Sequence, residues 1–138
     1  MSVIVKDEGF GPEDLYFGFC APADIVDETT TPFGVELTSD TDPDSLPASI
    51  KRALAIRVDF PSFADGRGFT IARRLRLMGY KGRVRAKGHV LADQYAMARR
   101  AGFDEVEISD ELAQRQPEDQ WLFRADWRAH DHQSRLRA

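Results

Sequence analysis

The segment Asp65-Gly66-Arg67-Gly68 combines the residue types of an anion-binding loop. It follows an apolar run that ends at Phe60 and precedes an amphipathic stretch that contains Arg73. N–H groups at the start of a helix favour a negative charge, glycines allow a tight turn, and arginine binds an oxyanion through two hydrogen bonds. The loop and Arg73 are therefore a candidate oxyanion site. The alternative is that Asp65 pairs with Arg67 and only fixes the loop.

His89 is the residue best placed for proton transfer, because it lies between a predicted strand and a predicted helix. Asp93 and Gln94 follow in the first turn of that helix. The carboxylate of Asp93 stabilises the positive N-terminal end of the helix and can pair with an arginine. The alternative is that Asp93 orients Arg67 or His89. We treat His89, Asp93 and Gln94 as supporting residues of the candidate site. For His89, helix capping or solvent exposure is the alternative.

No pattern in the sequence indicates a metal site or an activated nucleophile. His130 and His132 are two residues apart, which is poor spacing for a helical metal pair, and no third ligand is evident, so we predict no metal. Cys20 is the single cysteine and has apolar neighbours, which favours a packed thiol over a reactive one. No Ser–His–acid or Cys–His arrangement stands out, so catalytic residues stay unassigned.

Three strand-like runs alternate with two helical patterns in the middle of the chain. The strands are predicted over 54–60, 83–88 and 105–108, and the helices over about 70–78, with Thr70 as the cap, and 90–101. This spacing is typical of a βαβαβ core with parallel strands and right-handed crossovers. The predicted fold class is therefore α/β, as a small single domain over 1–138 whose sheet is either open or a partial barrel.

The carboxyl ends of parallel strands are where ligands bind in such folds. Three segments are expected to converge there: 59–68, 87–89 and 108–110. The candidate loop and His89 belong to the first two segments. The sequence therefore places the candidate site at this edge of the sheet.

The two ends of the chain are less regular. Glycines and prolines interrupt the N-terminal third, which fits short strands or loops, including a strand over 34–38 and a short helical segment near 46–53. The last part, about 110–138, is predicted as a charged helical tail that Ser109 caps. We expect its aromatic residues to cover the core or a dimer interface: Trp121, Phe123 and Trp127.

Charge is distributed unevenly along the chain. The net charge is −4, yet residues 67–100 contain ten basic residues and one acidic residue, whereas residues 1–50 contain eleven acidic residues and one basic. The basic segment can attract an anionic ligand, dock on an acidic partner, or pair with the N-terminal half of the same chain. The acidic balance and the lack of a nucleic-acid-reading motif argue against nucleic acid. No run is long enough to cross a bilayer and no signal peptide is evident, so we expect a cytoplasmic protein with no membrane association.

A combination of short motifs runs through residues 35–108. They are the segment 60–69, Ala72-Arg73, Leu75-Arg76, Gly82, Arg85-Ala86, Gly88, Val90-Leu91, Asp93-Gln94 and Gly102-Phe103-Asp104. Together they resemble DUF934, a bacterial family of uncharacterised proteins often described as oxidoreductases of sulfite reduction. The resemblance implies association with assimilatory sulfite reductase in cytoplasmic sulfur assimilation.

The resemblance and the loop together lead to one expected function and two alternatives. We expect an accessory protein of sulfite reduction that binds a small oxyanion, or an anionic group of a sulfite reductase subunit, at the Asp65–Gly68 loop. One alternative is an oxidoreductase with a flavin or nicotinamide, although the chain has no dinucleotide fingerprint and its cofactor is unknown. The other is a non-catalytic homodimeric adaptor of sulfite reductase.

The chain departs from the family pattern at two positions. His89 stands where the family usually has aspartate, and Ala101 stands where many members have cysteine or serine. A role of the family's aspartate therefore does not transfer to His89. Ala101 argues against thiol redox chemistry at that point.

Overall fold

Seven strands form one sheet in the computed structural model, which describes residues 2–26 and 31–127. The strands are β1 (Ser2–Lys6), β2 (Gly9–Gly11), β3 (Phe19–Cys20), β4 (Gly34–Leu37), β5 (Ala55–Phe60), β6 (Arg83–Gly88) and β7 (Glu105–Ser109). Their order across the sheet is β2-β1-β7-β6-β5-β4-β3. The run from β3 to β7 is parallel, whereas β1 is antiparallel to both of its neighbours. The α/β class is confirmed, and the two free edges show that the sheet is open.

The predicted βαβαβ core is present. β5, β6 and β7 are adjacent and parallel, and they are connected by α1 (Arg67–Leu77) and α2 (Tyr95–Ala101). Positions 56, 58, 84, 86, 106 and 108 of the strands are buried in the apolar core together with side chains of both helices. Strand alternation puts these positions on one face, so both helices cover the same side of the sheet.

The predicted start of each helix was wrong. α1 begins at Arg67 and not at Thr70, because the carboxylate of Asp65 accepts the Arg67 N–H (3.1 Å) and so satisfies an N-terminal donor. The second helix does not begin at 90. Val90 is buried and lies outside any helix, Leu91 is extended, a 3₁₀ turn follows over Ala92–Gln94, and only then does α2 start.

The N-terminal region is irregular, and its strands β1 to β4 are short, as predicted. The helical segment expected near 46–53 consists of 3₁₀ turns over Pro43–Ser45 and Ala48–Arg52. The predicted helical tail contains α3 (Asp110–Arg115) and α4 (Glu118–Phe123). Ser109 caps α3 as predicted, since its hydroxyl accepts the Leu112 N–H (3.1 Å). Residues 128–138, with His130 and His132, lie outside the described residues.

The face of the sheet opposite the helices is ionic. We call it the charged face; its members are Glu36, Arg57, Asp59, Arg83, Arg85, Lys87, Glu105 and Glu107. The register places four of them in one row across β4, β5, β6 and β7: Glu36, Arg57, Arg85 and Glu105. Parallel strands usually have apolar residues on both faces because both faces are covered. Here the second face carries acidic and basic residues instead, with acidic residues of β4 and β7 on either side of basic residues of β5 and β6.

Arg85 is the centre of the charged face, and its side chain has no exposed surface. Its Nε donates to Glu105 (2.5 Å), and its Nη1 donates to Glu107 (2.9 Å) and to Glu13 (2.7 Å). Glu13 belongs to the segment 12–18, which we call the strap. The strap connects β2 at one edge of the sheet to β3 at the other, so it crosses the charged face.

The basic segment pairs with the acidic N-terminal half of the same chain. The ion pairs between the two parts are Asp7–Arg99, Glu13–Arg85, Asp14–Arg83, Glu36–Lys87 and Asp44–Arg74. Burial acts to raise the pKa of Asp14, but hydrogen bonds from Arg83 and Lys6 outweigh it and hold that pKa well below its usual range. Of the three roles considered for the basic segment, the structure shows self-neutralisation.

Candidate functional site

Arg67 in the candidate loop is bound to its own neighbours. Its Nε and Nη2 donate to the two carboxylate oxygens of Asp65 (3.0 and 2.8 Å), and Nη2 also donates to the Ser39 hydroxyl (3.0 Å). Hydrogen bonds from the side chain and backbone of Arg67 hold the pKa of Asp65 well below its usual range. The Asp65 carboxylate thus occupies the position in which a bound oxyanion would meet both the helix N-terminus and the guanidinium.

Gly68 is buried and serves packing, whereas Gly66 and Arg73 are exposed to solvent. A Cβ at Gly68 would lie 2.5 Å from the Phe60 ring, so Gly68 allows α1 to approach β5 closely. Gly66 precedes the first residue of α1. Arg73 lies on the exposed side of α1 and has no hydrogen bond or ion pair with any described residue. The fold alone accounts for Asp65, Arg67 and Gly68.

Replacing Arg67 with alanine should raise the pKa of Asp65 towards the ordinary range of a carboxyl. The mutation removes two hydrogen bonds and the adjacent positive charge that favour the ionised form. Because the folded-state pKa is lowered, the stabilisation from this pair is present above the unfolded-state pKa and is lost as the pH falls through the folded-state value. An NMR titration of the Asp65 carboxyl carbon measures the change. Arg73→Ala is the control, and an unchanged Asp65 pKa in Arg67→Ala would refute the pairing.

A second group of residues surrounds a cleft of about 250 Å³ at the carboxyl ends of β6 and β7. We call it the His89 cleft, and it is lined by Phe63, Gly88, His89, Ser109, Glu111, Leu112 and Arg115. It contains one or more residues from each of the three segments expected to converge at this edge. Arg67 is not among them; it lines a separate hollow beside β4 with Ser39 and Asp40.

Two contacts orient the His89 ring. Nδ1 lies 3.1 Å from the carbonyl oxygen of Phe60, and the ring meets Phe63 edge to face, with 4.9 Å between the centroids. A carbonyl can only accept a hydrogen bond, so Nδ1 carries the hydrogen and Nε2 of the neutral ring holds the lone pair. Nε2 has no hydrogen-bond partner among residues 2–26 and 31–127. It is available to a ligand as an acceptor, or as a donor once protonated.

Arg115 supplies an uncommitted positive charge to the cleft. Unlike Arg67, it forms no hydrogen bond or ion pair with any residue in the described part of the chain, although Glu111 lines the same cleft. The Ser109 hydroxyl accepts the Leu112 N–H, which leaves its own proton free to donate to a ligand. The cleft therefore offers a guanidinium, an imidazole nitrogen and a hydroxyl proton.

Gln94 and Asp93 contribute near the cleft but do not line it. The Gln94 side chain accepts the Leu91 N–H (2.9 Å) and donates to the Phe63 carbonyl (3.4 Å), so it connects the loops that precede α1 and α2. Asp93 is exposed and pairs with Arg124 (3.1 Å). Its partner is thus an arginine of the C-terminal part and neither Arg67 nor His89. Gln94 supports the position of Phe63, against which the His89 ring packs.

A larger cavity of about 690 Å³ lies at the amino ends of β5, β6 and β7, at the other end of these strands from the His89 cleft. Its basic lining residues include Arg76, Arg83 and Arg99, which are bound to Asp104, Glu105 and Asp7. Their charges are therefore largely balanced within the fold. This cavity has weaker features of an anion site than the His89 cleft.

Arg115 and Glu111 were not among the predicted site residues. Both lie on α3, directly after the segment 108–110 that was expected to reach the site. The helical tail predicted from about residue 110 already places Glu111 and Arg115 four residues apart, on one side of the helix, and this was the signal that could have found them. Among the described residues there is no group of three or more His, Cys, Asp or Glu that could hold a metal ion.

Comparison with known protein families identifies a family to which most of the chain is similar. The model of a family described as "Bacterial protein of unknown function (DUF934)" matches residues 34–133. Neither the curated proteins nor the solved structures contain a match to this chain. In the described part of the chain no helix has the length and apolar character needed to cross a membrane.

Proposed function

Because the chain belongs to the DUF934 family of bacterial proteins, we propose that it is a cytoplasmic accessory protein of sulfite reduction that binds a small oxyanion in the His89 cleft. Sulfite and sulfate are the expected ligands. The setting rests on the association that the family resemblance implies. The site rests on the geometry of the cleft, and it replaces the Asp65–Gly68 loop as the place of binding.

The observation that carries the proposal is the contrast between Arg115 and Arg67. An oxyanion at Arg67 would have to displace the Asp65 carboxylate, which already makes a bidentate pair with it. At Arg115 an oxyanion meets a guanidinium with no partner among the described residues. Binding there sacrifices no ion pair. The free energy of a new charge-assisted hydrogen bond is thus available for affinity.

His89 and Ser109 add direction to this charge. A tetrahedral or pyramidal oxyanion has several acceptor oxygens, and the Ser109 hydroxyl proton can serve one of them. Nε2 of His89 can accept the proton of a hydrogensulfite ion, or donate to an oxygen when the ring is protonated. Glu111 lowers the affinity of the cleft for anions, because its carboxylate repels a bound anion.

Calorimetric titration with sulfite, sulfate and phosphate tests the proposal. We expect about millimolar or tighter binding by the wild-type protein. Arg115→Gln should weaken it by about tenfold to a hundredfold, the equivalent of one lost charged hydrogen-bond pair. Glu111→Gln should tighten it, because it removes the repelling carboxylate.

Arg73→Gln is the matched control, since Arg73 is exposed and unpaired among the described residues but lies outside the cleft. It should leave the affinity unchanged. If Arg67→Ala abolished binding and Arg115→Gln left the affinity unchanged, the ligand would bind at the loop instead. No heat with any of the three anions would refute small-oxyanion binding.

The closed Arg67 loop favours a second candidate, a non-catalytic adaptor of sulfite reductase that acts as a homodimer. In this case the protein co-purifies with a sulfite reductase subunit, and Arg115→Gln leaves the complex intact. A complex that Arg115→Gln or excess sulfate disrupts would instead mean that the cleft holds an anionic group of the subunit.

A further inference from the structure

We propose that the ligand of the His89 cleft is an organic sulfonate, in which an oxyanion with a single negative charge is joined to an apolar group. The oxyanion meets Arg115 and Ser109, and the apolar group lies against Phe63 and Leu112. This inference rests on the proposed function, because it assigns a ligand class to the same site. It adds an apolar part, which inorganic sulfite and sulfate lack.

One wall of the cleft is apolar. Phe63 is 40% exposed, although it is a large apolar side chain, and it lines the cleft together with Leu112. Ligand pockets typically combine apolar walls with a few polar groups that fix the orientation of the ligand. A small oxyanion makes no use of an apolar wall, since its surface atoms are all polar. The wall therefore indicates a ligand with an apolar part.

Contacts on two sides hold Phe63 in its place at the wall. Its ring meets the His89 ring edge to face, with 4.9 Å between the centroids, and its carbonyl oxygen accepts from the Gln94 side chain (3.4 Å). The His89 ring is itself oriented by the Phe60 carbonyl oxygen (3.1 Å). Binding against this wall needs little ordering of the protein. Contact with an already ordered surface loses less free energy to immobilisation, so more of it appears as affinity.

The cleft is larger than an inorganic oxyanion. Its volume of about 250 Å³ corresponds to about eight water molecules at about 30 Å³ each. A sulfate ion, with one sulfur and four oxygen atoms, fills about half of that space. The remaining space is enough for a small organic group beside the oxyanion.

The charges that line the cleft favour a monoanion. Arg115 and Glu111 have opposite charges, and His89 is neutral unless it is protonated. Asp110, directly before Glu111, adds a carboxylate to the first turn of α3. A second negative charge on the ligand doubles its attraction to Arg115 and its repulsion by each carboxylate alike. The larger desolvation cost of a dianion is then decisive, and a sulfonate has only one charge.

A sulfonate also matches the polar groups of the cleft. It has three acceptor oxygens around sulfur, and the organic group takes the fourth position. The Arg115 guanidinium and the Ser109 hydroxyl can donate to these oxygens, and Nε2 of His89 can donate when the ring is protonated. The organic group points away from the oxygens that these donors bind. Phe63 and Leu112 are the large apolar residues of the lining that can receive it.

Calorimetric titration with a series of related probes tests the inference. We expect benzenesulfonate to bind about tenfold tighter than methanesulfonate, because its ring adds contact with Phe63. It should also bind tighter than phenyl phosphate, which has the same ring but two negative charges at about pH 8. Benzenesulfonamide, the uncharged analogue, should bind more weakly than benzenesulfonate, and equal binding of the two would overturn the role of the oxyanion.

Phe63→Ala separates the two parts of the ligand. It should remove the advantage of benzenesulfonate over methanesulfonate and leave the affinity for methanesulfonate nearly unchanged. Phe123→Ala is the matched control, since Phe123 is 74% exposed and lies outside the cleft, and it should leave the advantage intact. Arg115→Gln should weaken the binding of both sulfonates to a similar extent.

The outcomes distinguish this inference from the proposed function. If sulfite or sulfate binds through Arg115 but benzenesulfonate binds no tighter than methanesulfonate, the small-oxyanion site stands and the organic sulfonate is refuted. An advantage of benzenesulfonate that persists in Phe63→Ala, or tighter binding of phenyl phosphate, would also overturn the inference. Binding of benzenesulfonate without binding of sulfite or sulfate would support the sulfonate and refute the inorganic ligands. No heat with any probe would refute both.

Discussion

Arg85→Met is expected to lower the free energy of unfolding by about 3–5 kcal/mol. Arg85 is fully buried and binds Glu105, which is 2% exposed, and Glu107, which is also buried. Methionine fills similar space but, among the described residues, leaves buried Glu105 with Arg83 as its only cation and Glu107 with Arg57 as its only cation. The expected loss comes from buried carboxylates whose charge is then incompletely compensated, more than from the ion pairs themselves. Urea unfolding followed by circular dichroism measures it.

Two further variants show whether the buried charges are the cause. Arg73→Met replaces an exposed arginine with no partner among the described residues and should change the free energy of unfolding by less than about 0.5 kcal/mol. Adding Glu105→Gln to Arg85→Met should recover part of the loss, since it removes one buried carboxylate whose charge Arg83 alone would have to balance. A loss below about 1 kcal/mol in Arg85→Met would mean that the charged face is hydrated and not buried.

Trp121→Ala is expected to lower the free energy of unfolding by about 3–5 kcal/mol, the usual range for a buried tryptophan. Trp121 is 1% exposed, packs edge to face on Tyr95 with 6.0 Å between the ring centroids, and donates from Nε1 to the Gln116 carbonyl (2.9 Å). The substitution removes the ring contact and leaves a cavity between α2 and α4. Chemical unfolding is again the measurement.

Phe123 is the matched control for Trp121, because it lies on the same helix and is 74% exposed. Phe123→Ala should change the free energy of unfolding by less than about 0.5 kcal/mol. Equal losses in the two variants would contradict the assignment of Trp121 to the core. The structure thus separates two aromatic residues that the sequence pattern treated as one group, while Trp127 lies beneath the Arg99 guanidinium (4.9 Å).

The parallel core was predictable because its signals are local and repeated. Each strand alternates polar and apolar residues, and Gly79 and Gly102 follow the ends of α1 and α2 with positive φ. The start of α1 was not predictable in the same way. Thr70 is a good cap by type, but Asp65 satisfies the Arg67 N–H first. The choice between an open sheet and a barrel depended on where β1 pairs, which is a long-range contact.

The charged face could have been recognised in part from charged residues at alternate positions of the predicted strands. Arg57, Arg85 and Glu107 each occupy the alternate positions of strands that a parallel sheet normally fills with apolar residues. Their pairing could not be derived from one strand, because it requires the relative register of the three strands β5, β6 and β7. The strap that covers them was read only as an irregular segment.

The convergence of three segments at one edge of the sheet was predictable, whereas the arginine that lines the resulting cleft was not. The three converging segments do supply the His89 cleft, through Phe63, His89 and Ser109. Arg67 has the residue type for an oxyanion, but its neighbour Asp65 pairs with it, and sequence alone left both outcomes open. Arg115 could not be singled out from the sequence, because no motif surrounds it and only the folded structure shows which arginines remain unpaired among the described residues.

The position of a bound oxyanion is the most direct test of the proposed function. Crystals grown with selenate, a heavier analogue of sulfate, reveal the anion by anomalous scattering from selenium. We expect a peak in the His89 cleft within hydrogen-bonding reach of the Arg115 guanidinium, and its loss in crystals of Arg115→Gln. A peak beside Arg67, or an empty cleft at a selenate concentration that saturates the calorimetric titration, would contradict the proposal.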